Sequence, residues 1–416
     1  MKLVLGHWIA FDDNNDLIDH PGGALAIDQG VIVARGSADE LRRAYPHASI
    51  DDHGEQWLMP GFVDAHVHYP QLPIIASHGE ALLEWLERYT FPEESKYHNL
   101  DYAHAQAQTY LDQSLSYGTT SSVVFATSHA TSAEALFEQA QARGVRLATG
   151  KVLMDRNCPD SLRDTAITGF QDSERLIRQW HGVDRLEYAI TPRFAPTSTP
   201  DQLAACGGLW DAYPGVLMQT HLSENEGELR WVAELFPGSA DYLGVYEQFD
   251  LIRPRALLGH SIHLSGREAA SVKERGAALV HCPTSNLFLG SGLFECVAHQ
   301  QADQKIALAS DVGGGSSLSM FATMTAAYQV SALLGRVLSV QDLLYHATLG
   351  AARAVGWSAT GNLAVGFEAD VLVVDPKATA MSEQRVSRAQ DLHEALFSLI
   401  VLADDRHIRR VYLAGS

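Results

Sequence analysis

Eight short apolar runs, separated by longer stretches of helical periodicity, constrain this chain more than any other feature. They are "WLMPGFVDAHVH", "TTSSVVFAT", "RLATGKVLM", "LEYAITPRF", "GVLMQTHLS", "ALLGHSIH", "AALVHCP" and "IALASDVG". Runs this short and this rich in Val, Leu, Ile and Ala read as strands covered on both faces. Stretches such as "AEALFEQAQARG" and "ENEGELRWVAELF" lie between them and read as amphipathic helices. Eight β–α units in succession predict a (β/α)8 TIM barrel, whose functional groups gather at the C-terminal ends of its strands. A doubly wound open sheet fits less well: no GxGxxG turn follows the first run, and polar residues recur at many run ends.

The two ends of the chain have another texture. "KLVLGHWIAF" and "GGALAIDQGVIVARGS" near the start, and "ADVLVVD" and "RHIRRVYLAGS" near the end, read as short strands with turns. We therefore expect residues 1–57 and 361–416 to form one small β-sandwich domain, split in sequence, around a catalytic barrel at 58–360. A chain of 416 residues is long enough for such a pairing, and its 46% hydrophobic and 19% charged residues are those of a globular protein.

Charge narrows the function. With 50 acidic against 30 basic residues the net charge is −20, which disfavours nucleic acid and anionic membrane surfaces as partners. No run of about 20 apolar residues is present to span a bilayer. Cys158, Cys206, Cys282 and Cys296 show no CxxC spacing and read as reduced, partly buried thiols of a cytoplasmic protein. The acidic cluster at 12–16 ends the first apolar run, so no secretory leader is expected.

The polar residues that end the apolar runs carry the chemistry. They are His66 and His68 in run one, Arg193 in run four, His221 in run five, His260 in run six and Asp311 in run eight. Strict alternation places Asp64, His66 and His68 on one strand face and Val63, Ala65 and Val67 on the other. Neutral imidazoles with a carboxylate suit Zn2+ or Fe2+ in an open, catalytic site. His260 ends its run and is preferred over His263, which falls in the loop; His281 reads as a core or loop histidine. Glu224 opens a helix three residues after His221. Ser223 and Glu226 there fit a capping box, and a carboxyl at that place can also move protons. "VGGGSS" after Asp311 lacks the lysine of a phosphate loop, so its glycines read as a sharp turn beside the metal. Asp64 is either a brace for a metal ligand or a plain strand residue. Leu82, Leu83, Trp85, Leu86 and Tyr89 make an apolar helical face, read as core packing, with a lid over the barrel mouth as the alternative.

"PGFVDAHVHYPQ", "LLEWLERYTFPEE", "TGKVLMDRN", "YAITPRFAPTST", "THLSENEGE", "GHSIHL", "HCPTSNLFLGSGLF" and "SDVGGGSSLSM" together resemble the guanine deaminase family of the amidohydrolase superfamily. The resemblance implies metal-dependent hydrolysis of guanine to xanthine and ammonia. It assigns His66, His68, His221 and Asp311 to the metal, Glu224 to proton transfer, and His260 to orienting the attacking water. Gln71 and the pair Arg193–Phe194 look like the family's purine-recognition positions, and Phe194 or Trp85 can cover the ring face. An ion pair with a neighbouring acid is the other reading of Arg193. Two-metal relatives bridge their ions with a lysine at a strand end; "YAITPRF" has none and Lys151 lies mid-strand, so one ion per chain, zinc or else iron, is expected. Family likeness also implies a homodimer.

Other readings stay open. A different aminated heterocycle, such as 8-oxoguanine, a pterin or a triazine, can be the substrate, and a cyclic-amide hydrolase or a non-catalytic scaffold can use the same barrel. The small cytidine-deaminase fold is rejected: "HGE" occurs at 53–55 and 78–80, but no PCxxC accompanies it.

Overall fold

The structure, a computed structural model, describes residues 1–78 and 82–416, and for Leu82 the backbone alone. Glu80 of the second "HGE" and the Leu82 side chain therefore lie outside the described residues. Four strands open the chain: β1 (Lys2–Phe11), β2 (Leu17–Asp28), β3 (Val31–Ser37) and β4 (Ser49–Pro60). The barrel strands follow as β5 (Phe62–His68), β6 (Thr119–Phe125), β7 (Arg146–Gly150) with its short continuation β8 (Val152–Leu153), β9 (Leu186–Pro192), β10 (Leu217–Leu222), β11 (Ala256–His260), β12 (Ala278–His281) and β13 (Lys305–Leu308). The chain ends with β14 (Val371–Val374) and β15 (Ile408–Tyr412).

All eight runs form strands of one parallel sheet, in the order β13-β12-β11-β10-β9-β7-β6-β5. Backbone bonds from Asp311 N to His66 O (2.9 Å) and from His68 N to Val312 O (3.3 Å) join the last strand to the first and close the barrel. An eight-stranded barrel has room inside only for side chains. Here Val63, Ala65, Val123, Ala148, Ala189, Leu217, Leu257, Val280 and Ala307 fill it, and Ala351, Ala352 and Trp357 join the same cluster. Larger residues on the outward faces, such as Tyr188, Met218 and Leu258, pack under the surrounding helices.

The first run splits between the two sheets. β4 pairs with β1 and β14 as far as Pro60, so the changeover to the barrel falls at Gly61 rather than at 57/58. The terminal strands share a single hydrogen-bonded path, β15-β14-β4-β1-β2-β3. Bonds from Ile32 N to Phe367 O and from Ala369 N to Gly30 O bring the far edge round to the segment before β14. The path thereby wraps, sandwich-like, around Trp8, Leu25, Leu58 and Val373.

Strict alternation fails in β5. The ladder with β6 slips between Asp64 and Val67, so Val63 and Ala65 face the barrel interior while Val67 packs outside. Such a bulge re-aims side chains, and both His66 and His68 end up at the barrel mouth. The helical cap is also not the expected one: Asn225 caps helix Glu226–Leu235 in a capping box with Glu228, which leaves Glu224 ahead of the helix.

Candidate active site

Nine of the ten residues given a metal, catalytic or substrate role from the sequence line one cavity at the C-terminal ends of the strands: His68, Gln71, Trp85, Arg193, Phe194, His221, Glu224, His260 and Asp311. The tenth, His66, lies behind them, with its Nε2 3.3 Å from Asp311 Oδ1. Leu86, Leu289 and Gly314 complete the lining.

Four donors converge at the floor. His68 Nε2 stands 3.2 Å from His221 Nε2 and 3.4 Å from Asp311 Oδ1. Ligands held about 2.1 Å from a tetrahedral metal stand about 3.4 Å apart, so these separations are those of a coordination shell. His66 Nε2 is buried with no hydrogen-bond partner among the described residues, an orphaned atom that a cation would satisfy. His221 donates Nδ1–H to the Arg193 carbonyl at 2.7 Å, which leaves Nε2 as a lone-pair donor. Burial pushes the imidazoles of His66, His68 and His221 down, and so keeps them neutral as ligands must be. Burial alone would raise the Asp311 carboxyl, yet the imidazoles of His66, His260 and His68 hold it far below the usual range. The residues present fit a divalent metal ion.

Backbone conformation puts these groups in place. His260, Ser261, Asp311 and Ser223 adopt left-handed φ values of 65°, 51°, 47° and 50° at the ends of three barrel strands, where non-glycine residues are uncommon. Each costs about 1–3 kcal/mol that the surrounding packing must offset, a feature of functional sites. Two glycines make the remaining room. A Cβ on Gly259 would lie 2.8 Å from His66 Cε1, and one on Gly313, at φ 122°, would lie 2.0 Å from Gln71 Oε1. The "VGGGSS" glycines thus admit the Gln71 side chain as well as turning the chain.

Beside the candidate metal donors stands a buried carboxyl. Glu224 accepts a bond from Ser291 Oγ at 3.1 Å and lies 3.4 Å from His260 Nε2. Burial pushes its carboxyl up to about 7. His260 donates Nδ1–H to Asn286 Oδ1 at 2.8 Å, and its Nε2 lies 3.7 Å from Asp311 Oδ2. Burial opposes a charge on this ring, but Glu224 and Asp311 outweigh it and move its pKa up. His263 instead binds the Ser291 carbonyl, and His281 stacks on Phe294 in the core, 4.6 Å between ring centres.

On the other wall, Gln71 Nε2 donates to Glu94 Oε1 at 2.9 Å, and Arg193 Nη1 reaches both Glu94 oxygens at 3.1 and 2.8 Å. The ion pair considered for Arg193 exists, and the same residue lines the cavity. Glu94 was not singled out in the sequence: it is one of two adjacent glutamates in "FPEESKY", and only the fold shows it fully buried. Ser291 and Asn286 were likewise missed, because polar residues in a loop have no periodicity to mark them.

The apolar face at 83–89 packs in a cluster with Phe91, Phe125, Phe194 and Leu289, as core packing predicts, but this cluster roofs the cavity. Asp64 does not brace an imidazole. It accepts bonds from Ser310 N (3.0 Å) and the Ser310 hydroxyl, and so steadies the strand end that carries Asp311. Lys151 sits at the break between β7 and β8, buried and paired with Asp164 at 2.8 Å and Asp172 at 3.2 Å. All four cysteines are free and buried; Cys158 keeps the most exposure, 9%. Among them Cys282 lies within the cluster of metal-ligand atoms, unforeseen from its sequence setting.

Comparison with known proteins agrees with this geometry. The pattern of the Amidohydrolase family matches residues 57–416, and that of the bacterial imidazolonepropionase-like composite domain matches residues 23–48. Guanine deaminase of Escherichia coli (strain K12) is 41% identical, with 100% of this chain and 97% of that protein covered. The solved structure of E. coli guanine deaminase superposes with a TM-score of 0.98 at 39% identity, covering 100% and 98% of the two chains. Guanine deaminase from C. acetobutylicum, solved with guanine bound in its active site, superposes with a TM-score of 0.93 at 32% identity, covering 100% and 99%. The chain belongs to the amidohydrolase family and, within it, to the guanine deaminases.

Proposed function

We propose that this enzyme hydrolyses guanine to xanthine and ammonia, with His66, His68, His221 and Asp311 holding one divalent ion per chain, zinc in preference to iron. When bound, such an ion supplies Lewis acidity that makes hydroxide available from water near neutral pH. Asp311, kept ionised, accepts the proton that water gives up. His260, between Glu224 and Asp311, orients the water towards C2 of the ring. Glu224, with a carboxyl near 7, protonates N3, takes a proton back from the new C2 hydroxyl and passes it to the departing amine; the proton held by Asp311 then restores Glu224. One water is consumed and one ammonia leaves.

Recognition falls to the opposite wall. Glu94 holds Gln71 by its amide N–H, which leaves the Gln71 carbonyl as an acceptor, and it takes only Nη1 of the five-donor Arg193 guanidinium. An amide-like purine edge presents the matching donors and acceptors. Phe194 and Trp85 cover the planar ring, and the buried Trp85 Nε1 has no partner among the described residues.

The observation that carries this reading is the placement of the buried Glu224 carboxyl in one cavity with His68, His221 and Asp311, with His66 3.3 Å from Asp311 and Glu94 holding Gln71 and Arg193 on the opposite wall. Ammonia release from guanine, set against 8-oxoguanine, pterins and triazines, tests it: guanine should be preferred, and a better substrate elsewhere in the panel would replace it. Glu224→Gln should lower kcat by about 10²–10⁴-fold with metal content retained. Full turnover in that variant would remove Glu224 from the mechanism.

The same reading makes the protein a cytoplasmic enzyme of purine breakdown, supported by its four free, buried thiols. No helix among the described residues is long and apolar enough to cross a membrane. It also makes the protein a homodimer; the exposed Leu333, which ends helix Met320–Leu333, and the exposed Val337 just beyond it support an apolar partner surface. Sedimentation at low micromolar concentration should find a dimer.

A further inference from the structure

The metal donors of this chain form two overlapping groups rather than one. His66, His68 and His221 make the first, and His66, His260, Cys282 and Asp311 make the second, each with its ligand atoms within 4.8 Å of one another. The two oxygens of Asp311 face different ways: Oδ1 towards His66 and His68, Oδ2 towards His260. With His66 and Oδ1 committed to the first group, the second retains His260 Nε2, Asp311 Oδ2 and the Cys282 sulfur. Cys282 is fully buried and makes a weak hydrogen-bonding contact to the Val280 carbonyl at 3.7 Å. The thiol thus stands in one group with His66 and the shared carboxylate, ligand atoms within 4.8 Å of one another.

We propose that Cys282 gives this enzyme a second cation position, contiguous with the first through Asp311, that takes up a thiophilic divalent ion such as Cd2+ and stops turnover. Softness argues for that class of ion, since a thiolate selects soft metals over Mg2+ or Ca2+. Spacing argues the same way: His260 Nε2 and Asp311 Oδ2 are 3.7 Å apart, wider than the 3.2–3.4 Å of the first group, and so suited to a larger ion. On binding, the thiol gives its proton to solvent and the sulfur becomes a ligand. His260 and Oδ2 are then withdrawn from the water and from Glu224, so inhibition follows from occupancy. The inference rests on the reading that His66, His68, His221 and Asp311 hold the resident ion.

The test uses the intact holoenzyme, with its ion content measured before any addition. Titrating Cd2+ should produce ultraviolet sulfur-to-cadmium charge-transfer absorption, saturating at one added ion per chain, with loss of guanine turnover in parallel. Cys282→Ser and Cys282→Ala should each abolish the band. Each variant should need about tenfold more Cd2+, or beyond, to halve its own untreated rate. Cys296→Ser, altered at a buried cysteine away from the site, should behave as wild type. Simple exchange of Cd2+ into the first group would inhibit without a thiolate band, and that result overturns the proposal. So does a band that survives in either Cys282 variant. An enzyme isolated with no ion at all would instead overturn the reading of the first group, while the band would still report on Cys282.

Discussion

Glu94 shows how much one side chain can decide. It has no exposure, it ties Gln71 to Arg193, and its charge is the partner of a buried guanidinium. Replacing it by Gln keeps the shape and removes the charge. A buried cation left without its partner costs about 3–5 kcal/mol, so the Glu94→Gln melting temperature should fall. The loss of a charged hydrogen bond on the substrate wall, about 1.5–3 kcal/mol, should raise KM for guanine by about tenfold or more. Metal content should not change, because among the described residues none of the four proposed metal ligands bonds to Glu94. A variant with wild-type KM would mean that Arg193 and Gln71 need no anchor. Residues of this kind are illegible in a sequence: Glu93 and Glu94 are neighbours of identical chemistry, and only the turn of the chain sends one to Arg193 and the other to Lys96 and Tyr102. The histidines were legible because each ends an apolar strand, a position that barrel geometry converts into convergence.

At the scale of elements, irregularities place the chemistry. A bulge in β5 brings both imidazoles of "HVH" to the mouth, and a π-helical turn at Leu86–Thr90 interrupts the helical segment that roofs the cavity. Such turns recur at functional sites because they shift a helical face by one residue. The break between β7 and β8 is a third irregularity, filled by Lys151. Burial pushes the Asp164 carboxyl up to about 6 against the pull of this lysine. Lys151→Met should therefore destabilise the protein by about 3–5 kcal/mol. The sign with pH is fixed. A carboxyl whose folded pKa is raised contributes stability at low pH that is lost as pH rises through that value. Without the lysine the Asp164 pKa rises further, so the deficit against wild type should widen between pH 5 and pH 8. Denaturant melts at the two pH values measure it, and an equal deficit at both would show that Asp164 does not titrate there.

For the whole molecule, the small sheet and the catalytic groups occupy opposite ends of the barrel. Arg146 begins β7 and Arg185 immediately precedes β9, and both reach across to the segment leading into β14. Arg146 Nε donates to Glu368 at 2.9 Å, and Arg185 Nη2 donates to Glu368 at 2.8 Å and to Asp370. Gly61, just before β5, adds a backbone bond to the Asp370 carbonyl. All three lie at N-terminal strand ends, where barrels keep stability rather than catalysis. Arg185→Ala leaves Asp370, whose side chain is 2% exposed, without its cation. The melting temperature should fall, and amide exchange in Val371–Val374 should accelerate. Turnover per folded molecule should stay at the wild-type level, and a fall in kcat would show that the sheet reaches the active end.

The sequence by itself determined the barrel and the separate sheet from the two ends of the chain, and it marked most of the candidate residues for holding a metal or moving a proton. Those follow from hydrophobic period and from the chemistry of side chains at strand ends, which are local properties. Only the tertiary structure decided which glutamate meets Arg193, that Asn225 caps the helix after Glu224, that Asp64 serves a strand end, and that Cys282 stands among the metal donors. Each of those depends on distances between residues far apart in the chain, set by closure of the barrel and by bulges and left-handed residues whose cost is met by packing elsewhere.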